Sequence, residues 1–200
     1  FQNIINKNFE EIDIKKVSSD INRINILKDF EHNYIYLVNG NFYSSNFKYE
    51  DETKIEISTY DKTVDNEIYK NPLVFLNHAL ADNGFCLEVK ENYKFKKVLV
   101  VYNTFTEDIK NKIINNKNKI KIKHNSEVHI IDYTINKSKY KFINNCFENL
   151  VIEKNSKIRN LIIQNNKSNG IFHKFVKNKL FNNSDYSNFI FSSGLKFNKF

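Results

Sequence analysis

One short pattern that recurs in the second half of the chain constrains the fold more than any other feature. Ile120–Val128 (IKIKHNSEV) aligns with Leu150–Ile158 (LVIEKNSKI), and Leu180–Tyr186 (LFNNSDY) provides a further copy. The Asn-Ser pairs of the three copies lie 30 and 28 residues apart, and each pair connects two apolar strands. A unit that repeats at nearly constant spacing is typical of stacked coils, in which each strand pairs in parallel with its equivalent one coil away. The repeat therefore predicts a parallel β-helix.

The same alignment predicts which side chains stack between coils. It defines three columns, namely Val128, Ile158 and Tyr186 facing inward, His129, Arg159 and Ser187 facing outward, and then Ile130, Asn160 and Asn188. In the third column, the amides of Asn160 and Asn188 are expected to form a hydrogen-bonded ladder. The chain from Phe85 to Phe200 has room for about four coils, which makes the fold class all-β.

The strands that would build these coils are short and are separated by Asn, Ser or Lys turns. They are predicted at Phe85–Lys90, Lys97–Tyr102, Lys119–His124, Glu127–Tyr133, Asn149–Lys154, Lys157–Gln164, Ile171–Lys177 and Tyr186–Ser192. The chain has only four Gly and one Pro. Asn must therefore form many of the turns, because after Gly it best tolerates the left-handed backbone conformation.

The region before residue 85 has a different pattern. Asn39-Gly40 lies between Tyr34–Val38 and Asn41–Tyr43, which predicts a hairpin because both turn residues need a positive φ. Lys54–Ser58 alternates and is interpreted as a strand. Ile12–Val17 and Ile21–Leu27 are compatible with either short strands or helical pieces.

One helix is predicted from Pro72 to Asn83, with Asn71 as its N-cap and Gly84 at its C-terminal left-handed position. Its apolar face would consist of Leu73, Phe75, Leu76, Ala79 and Leu80. These elements predict a small mixed α/β N-terminal subdomain at 1–84 and a β-helix at 85–200, truncated at its C-terminal end. The absence of Met and the apolar alternation up to Phe200 predict that the chain is a piece of a longer protein.

The net charge of +8 raises the question of nucleic acid binding. Arg occurs only at Arg23 and Arg159, however, whereas phosphate recognition usually recruits Arg for bidentate contacts. A high content of Ile, Asn and Lys is typical of an AT-rich genome. We therefore expect no nucleic acid partner. The longest apolar runs are only a few residues, so no membrane span is expected, and a reducing, soluble compartment is the default prediction.

Several segments resemble, in the right order, the SufB/SufD family of iron–sulfur cluster assembly scaffolds. They are Leu37–Phe42 (LVNGNF), Phe75–Val89 (FLNHALADNGFCLEV), Lys97–Tyr102 (KVLVVY) and Phe191–Lys196 (FSSGLK). Leu37–Phe42 resembles the hairpin of SufD rather than that of SufB. In the last segment, Ser193 and Lys196 depart from the family pattern.

The resemblance implies a right-handed parallel β-helix that follows a small mixed subdomain and precedes a helical C-terminal domain. In this family, SufD pairs with SufB, each binds a SufC ATPase through the C-terminal domain, and the complex assembles iron–sulfur clusters. The expectation is a SufD-like, non-catalytic scaffold that holds no cofactor in this part of the chain. It would be located in the cytoplasm, or in a plastid-type organelle if the protein is eukaryotic.

Candidate reactive side chains are interpreted as structural. Cys86 lies on a strand face opposite Phe85 and Leu87 and is expected to be a packed thiol; Cys146 is expected to lie between coils as another unreactive thiol. His124 and His129 flank an Asn-Ser corner with Asp132 nearby, but a solvated strand face is expected rather than a metal site. His173 is expected to face outward, and His78 to lie on the polar side of the helix.

No phosphate loop, GxSxG elbow or HExxH motif is present. Glu107 and Asp108 are interpreted as a helix start within a polar insertion from Thr106 to Asn118. No catalytic, cofactor or metal residue is therefore assigned. The alternatives are a carbohydrate-active β-helix enzyme, which would line an outward groove with acidic side chains, or another solenoid binding module.

Overall fold

A computed structural model of the chain describes residues 26–61, 70–164 and 167–199. The segment Ile12–Val17 and most of Ile21–Leu27 lie outside the described residues. The strands are β1 Asn33–Val38, β2 Asn41–Asn46, β3 Ile55–Thr59, β4 Phe85–Val89, β5 Leu99–Phe105, β6 Lys112–Ile122, β7 Glu127–Asn136, β8 Phe142–Ile152, β9 Lys157–Gln164, β10 Ser168–Leu180, β11 Asp185–Ser192 and β12 Leu195–Lys199; helix α1 is Pro72–Leu80.

The strands form two six-stranded sheets, between which the chain alternates from β4 onward. Sheet A has the order β12-β10-β8-β6-β4-β3, and sheet B has the order β11-β9-β7-β5-β1-β2. Every pair from β4 onward is parallel. The chain is therefore a parallel β-helix of about four coils, as predicted. Its right-handed sense stays a prediction, which the usual handedness of parallel crossovers favours.

Strands from before residue 85 belong to the same two sheets. The β1–β2 hairpin is antiparallel, as the Asn39-Gly40 turn predicts, but β1 also pairs in parallel with β5. On the other side, β3 pairs antiparallel with β4. Strands β2 and β3 thus occupy the first edge of each sheet, where they protect the unpaired backbone groups of the solenoid.

A carboxylate fastens the hairpin to the first coil. The side chain of Glu50 accepts hydrogen bonds from the backbone N–H groups of Lys96 and Lys97, from Asn33 Nδ2 and from Tyr93 Oη, all at 2.8–3.0 Å. Partial burial opposes the charge, but the hydrogen bonds from Lys96, Lys97, Asn33 and Tyr93 outweigh it, so the pKa of Glu50 is lowered. Glu50 is therefore charged in the folded chain even in mild acid.

Glu50→Gln is expected to destabilise the fold at neutral pH by about 1–2 kcal/mol, because an amide accepts these bonds less strongly than a carboxylate. Since the folded pKa is depressed, the stabilisation is present above the unfolded pKa of about 4.3 and is lost as the pH falls through the folded pKa. Urea unfolding of both proteins between pH 3 and 7 should show their stabilities converging in acid. Glu52→Gln, an exposed neighbour, is the control. If the two proteins differed in free energy of unfolding by the same amount at every pH, the stabilising role of the charged Glu50 carboxylate would be contradicted.

Helix α1 covers part of the outer face of sheet A. Its N-cap is Asn71, whose Oδ1 accepts from Leu73 N at 3.0 Å, as predicted. The predicted apolar face is wrong, because the helix buries Leu73, Val74 and Asn77 while Phe75 is 63% exposed. The helix is oriented by a polar anchor, since Asn77 Nδ2 donates to the carbonyls of Asn116 and Asn145 at 3.0 and 2.7 Å.

The Asn-Ser corners form a ladder along one edge of the coils. Asn92, Asn125, Asn155 and Asn183 all have φ values between +56° and +58°. From Asn125 onward, the side-chain Nδ2 of each asparagine donates to the Oδ1 of the asparagine one coil earlier, at 2.9, 3.1 and 3.3 Å in chain order. The serines that follow Asn125 and Asn155 tie their corners to the preceding coil, because Ser126 Oγ donates to the Lys90 carbonyl at 2.8 Å and Ser156 Oγ to the Lys123 carbonyl at 2.7 Å. The ladder includes Asn92, a corner that the sequence repeat did not identify.

Asn155→Val is expected to destabilise the fold by about 2 kcal/mol, because a β-branched residue is strained at a φ of +58°. Asn155→Gly is the matched control. Glycine accepts the left-handed conformation and loses only the two side-chain hydrogen bonds, to Asn125 and from Asn183. Urea midpoints followed by circular dichroism should rank the parent first, the Gly variant second and the Val variant last. A Val variant as stable as the Gly variant would contradict the strain argument.

The polar insertion is the largest local difference from the predicted elements. Glu107–Ile109 forms a single 3-10 turn, and β6 begins at Lys112 instead of a helix. The Asn-rich stretch 115–118 is a buried strand segment paired in parallel with β8. Pairing with a neighbouring coil thus overrides a local sequence that resembles a loop.

The predicted columns are confirmed. Val128, Ile158 and Tyr186 stand in register and face the core, and Asn160 Nδ2 donates to Asn188 Oδ1 at 3.2 Å. The main core between the sheets is mainly aliphatic, and a second cluster lies around Phe105, Phe142 and Phe172 at the opposite end of the coil section. Among the described residues, no helix is long and apolar enough to cross a membrane.

Candidate docking surface and interior ion cluster

Two apolar columns run along the outer face of sheet B, across all the coils. The strand registers stack Tyr34, Val100, Ile131, Leu161 and Phe189 in one column and Tyr36, Tyr102, Tyr133, Ile163 and Phe191 in the other. Alternation puts these side chains on the face away from the core, because their neighbours Ile35, Val101 and Ile130 lie in the main core cluster. Such a face is unusual, because outward strand positions are normally polar.

At the N-terminal end the chain itself covers these columns. Tyr36 and Tyr102 are fully buried, and their ring centroids lie 5.4 Å apart. Leu27 N donates to Tyr102 Oη at 3.0 Å, and a 2.8 Å hydrogen bond joins the same oxygen to His32 Nε2. Burial raises the pKa of Tyr102 to about 12, so its hydroxyl stays protonated and its hydrogen bonds persist at any physiological pH.

At the C-terminal end the same columns are uncovered. Phe189 is 68% exposed, Phe191 60% and Leu161 36%, with Ile163 half-buried between them. We call these four residues the docking face. Because they point sideways from sheet B, a further coil stacked on β11 would not cover them. This distinguishes them from Leu180 and Ile190, which are exposed at the last coil and would be covered by stacking.

A buried ion cluster crosses the interior of the coils. Lys174 on β10 extends from sheet A, and its Nζ lies 2.6 Å from Asp132 Oδ2 on β7 and 2.9 Å from Glu148 Oε2 on β8. All three residues are at least 91% buried. Burial opposes the charge of Lys174, but the two carboxylates outweigh it and hold its pKa above the usual range. A narrow interior gap bounded by Ile130 and Ile158 adjoins the cluster.

Cys146 lies beside this cluster, paired in register with Lys174 in the middle of β8. Burial raises its pKa to about 12, and Asn116 Nδ2 lies 3.4 Å from its Sγ. The thiol is therefore protonated and shielded. Cys86, on the outer face of sheet A, is half-buried opposite Ser58, and burial raises its pKa as well. Neither cysteine has the lowered pKa that a reactive thiol needs.

The predicted histidine and carboxylate positions do not converge. His124 is exposed at its corner, His129 Nε2 binds Glu127 Oε1 at 2.9 Å, and Asp132 points to the interior. In the described part of the chain, no group of three His, Cys, Asp or Glu side chains could hold a metal ion.

Two further histidines differ from their predicted environments. His173 points out of the coil, as alternation predicts, but it is only 3% exposed and its Nδ1 is hydrogen-bonded to Asn145 Oδ1 at 2.8 Å. His78 faces the sheet rather than solvent, with its Nδ1 2.9 Å from Lys117 Nζ. His173 is buried and His78 half-buried because α1 and the Asn-rich outer column of sheet A share one polar network.

Sequence reasoning missed Glu148 and Lys174. The signal was available, since Lys174 lies between Phe172 and Val176, two residues whose strand alternation places them on the same inward side. The carboxylates of the outer face, in contrast, are paired with nearby lysines. Glu88 lies 2.7 Å from Lys123 Nζ, and Glu56 lies 3.0 Å from Lys90 Nζ.

The chain matches no family model, no curated protein sequence and no solved structure.

Proposed function

We propose that the chain is a scaffold that binds a second β-helix subunit through its docking face, in the manner of a SufD-like component of an iron–sulfur cluster assembly complex. The observation that carries the proposal is the pair of apolar columns on sheet B, which end in the exposed rings of Phe189 and Phe191. Monomeric proteins rarely leave contiguous apolar surface in water, and such patches mark interaction sites.

The shape of this surface favours a flat partner. The docking face lies on parallel strands held by a continuous ladder of backbone hydrogen bonds, so it is rigid before binding. The inner faces of two stacked sheets pack about 10 Å apart through interdigitating apolar side chains. A second β-helix offers a sheet face of the same kind, and the aromatic residues supply the large apolar anchors that dominate interfaces.

The identity of the partner follows from the sequence resemblance. A SufB-like β-helix would occupy the docking face, and a SufC-like ATPase would bind through a C-terminal helical domain. The iron–sulfur cluster would be the cargo of the complex, and this subunit would contribute rigidity rather than chemistry. Protonated, shielded Cys146 and the lysine-paired carboxylates of the outer face support a non-catalytic role.

The test is co-purification of the full-length protein with a SufB homologue and its ATPase. Phe189→Ser/Phe191→Ser is expected to weaken the complex about tenfold or more, because two aromatic anchors are removed. Phe75→Ser is the matched control, since Phe75 is equally exposed, at 63%, but lies on α1. Affinity should be measured by titration calorimetry with each variant shown to be folded.

Two results would overturn the proposal. Failure to recover either partner with the parent protein would contradict the proposed role in iron–sulfur cluster assembly. Equal affinity of the double serine variant and the Phe75→Ser control would contradict the claim that the partner binds at the docking face. Turnover of an acidic polysaccharide by the purified protein would instead favour the carbohydrate-active alternative.

A further inference from the structure

The interior ion cluster has the geometry of a reaction site as well as that of a salt bridge. Lys174 Nζ lies 2.6 Å from Asp132 Oδ2. A carboxyl C–O bond is about 1.2 Å long, so the carboxyl carbon of Asp132 lies within about 4 Å of the lysine nitrogen. Atoms held close to attack distance in this way need little further ordering before they react.

The remaining oxygen of Asp132 is held by a hydrogen-bond donor. Asn103 Nδ2 donates to Asp132 Oδ1 at 2.6 Å. A donor fixed on a carbonyl oxygen stabilises the negative charge that develops when a nucleophile attacks the carbon. The two oxygens of Asp132 therefore have different environments, because one faces an amide donor and the other faces the attacking amine.

Glu148 is placed to move protons. Its Oε2 lies 2.9 Å from Lys174 Nζ, within the range for direct proton transfer. Glu148 is itself 95% buried, so a proton that leaves the lysine nitrogen passes to a buried carboxylate rather than to bulk water. Nucleophile, electrophile, oxyanion donor and general base thus converge from four different strands.

We propose that Lys174 and Asp132 join in an intramolecular amide bond, formed by the folded chain itself with Glu148 as the proton carrier. One proton passes from Nζ to Asp132 Oδ2, which leaves an amine and a carboxylic acid. The nitrogen then bonds to the carboxyl carbon, and negative charge gathers on Oδ1 beside Asn103.

The remaining steps balance without another reagent. Glu148 takes one proton from the nitrogen and delivers it to the Oδ2 hydroxyl, which leaves as water while the carbonyl reforms on Oδ1. Of the three ammonium hydrogens, one stays on the amide nitrogen and two leave in the water. Glu148 ends as the carboxylate with which it began.

The surroundings favour the product. The charges of Lys174 and Asp132 become one neutral amide, which removes the desolvation penalty of that pair, and Glu148, which stays a carboxylate, lies within hydrogen-bond reach of the new amide N–H. The bond would connect β7 in sheet B to β10 in sheet A and so close a loop between residues 42 positions apart. It would link the two sheets across the interior of the solenoid, between strands about one and a half coils apart along the chain.

The intact mass of the folded, full-length chain, measured under denaturing conditions, tests the proposal. We expect a mass lower than that of the sequence by one water. We also expect a tryptic product in which the peptide containing Asp132 is linked to the peptide containing Lys174, with no cleavage after Lys174. A folded parent protein at full mass would overturn the proposal and leave the cluster as an ion pair.

Variants assign the bond to these residues. Asp132→Ala and Glu148→Gln should restore the full mass, and Glu148→Gln keeps the size of the side chain, so its fold can be compared with that of the parent. Lys121→Met, at a partly exposed ion pair on the outer face, should retain the mass deficit. A deficit that survives in Asp132→Ala, or that maps to another peptide pair, would also overturn the assignment.

Discussion

Replacing Gly84 with alanine is expected to destabilise the fold by on the order of 4 kcal/mol, enough to unfold much of a marginally stable chain. Gly84 has a φ of +122°, a conformation that side chains rarely adopt. A Cβ there would lie 2.1 Å from the carbonyl oxygen of Lys117. Because that oxygen belongs to the backbone of β6, relief would require the first coil to separate from the second.

Gly40→Ala is the comparison that isolates the backbone clash. Gly40 also has a positive φ, of +80°, but its added Cβ would meet Cγ2 of Ile114 at 2.6 Å, which is a side-chain atom rather than the backbone of a paired strand. We expect Gly40→Ala to be the milder variant. Urea unfolding followed by circular dichroism should separate the two, and a Gly84→Ala protein with the midpoint of the parent would contradict the argument.

Lys174→Met is expected to cost about 3–5 kcal/mol, because it leaves the carboxylates of Asp132 and Glu148 buried without a counter-charge. Lys121→Met makes the same substitution at a partly exposed pair with Glu88, where the loss should be below about 1 kcal/mol. Denaturant unfolding at pH 7 measures both. Equal losses of unfolding free energy in the two variants would show that burial of the cluster adds nothing to the cost of removing the lysine.

The triple variant Lys174→Met/Asp132→Asn/Glu148→Gln separates two origins of this loss. Neutralising all three groups removes the uncompensated charge, so an ion cluster alone predicts that much of the stability returns. If an amide joins Lys174 to Asp132, the triple variant also lacks that cross-link, and less stability returns. Only the part of the difference between the parent and the triple variant that exceeds the loss of the ion cluster measures the contribution of the cross-link.

The sequence repeat predicted the solenoid because a β-helix encodes its fold at short range. The Asn-Ser corners need a left-handed residue at each turn, and every coil repeats the requirement at Asn125, Asn155 and Asn183. The columns follow from the corners, since strand alternation fixes which side chains face inward once the turn is placed. The hydrogen bond between the side-chain amides of Asn160 and Asn188 could be predicted for this reason.

The elements that were predicted wrongly are those whose environment comes from another part of the chain. The apolar residues of α1 did not reveal its buried face, because Asn77 anchors the helix to carbonyls of β6 and β8. The Asn-rich stretch 115–118 lies in the predicted polar insertion, yet pairing with β8 makes it a buried strand. His173 is buried in the same polar network.

By itself, then, the sequence determined the repeating coil, the inward columns and the Asn39-Gly40 hairpin, because each depends on backbone conformation and alternation within a few residues. Only the tertiary structure decided that Asp132, Glu148 and Lys174 meet, and that the columns of sheet B are covered at one end and exposed at the other. The physical reason is distance along the chain. Asp132 and Lys174 lie 42 residues apart, and only the stacking of coils brings their side chains into contact.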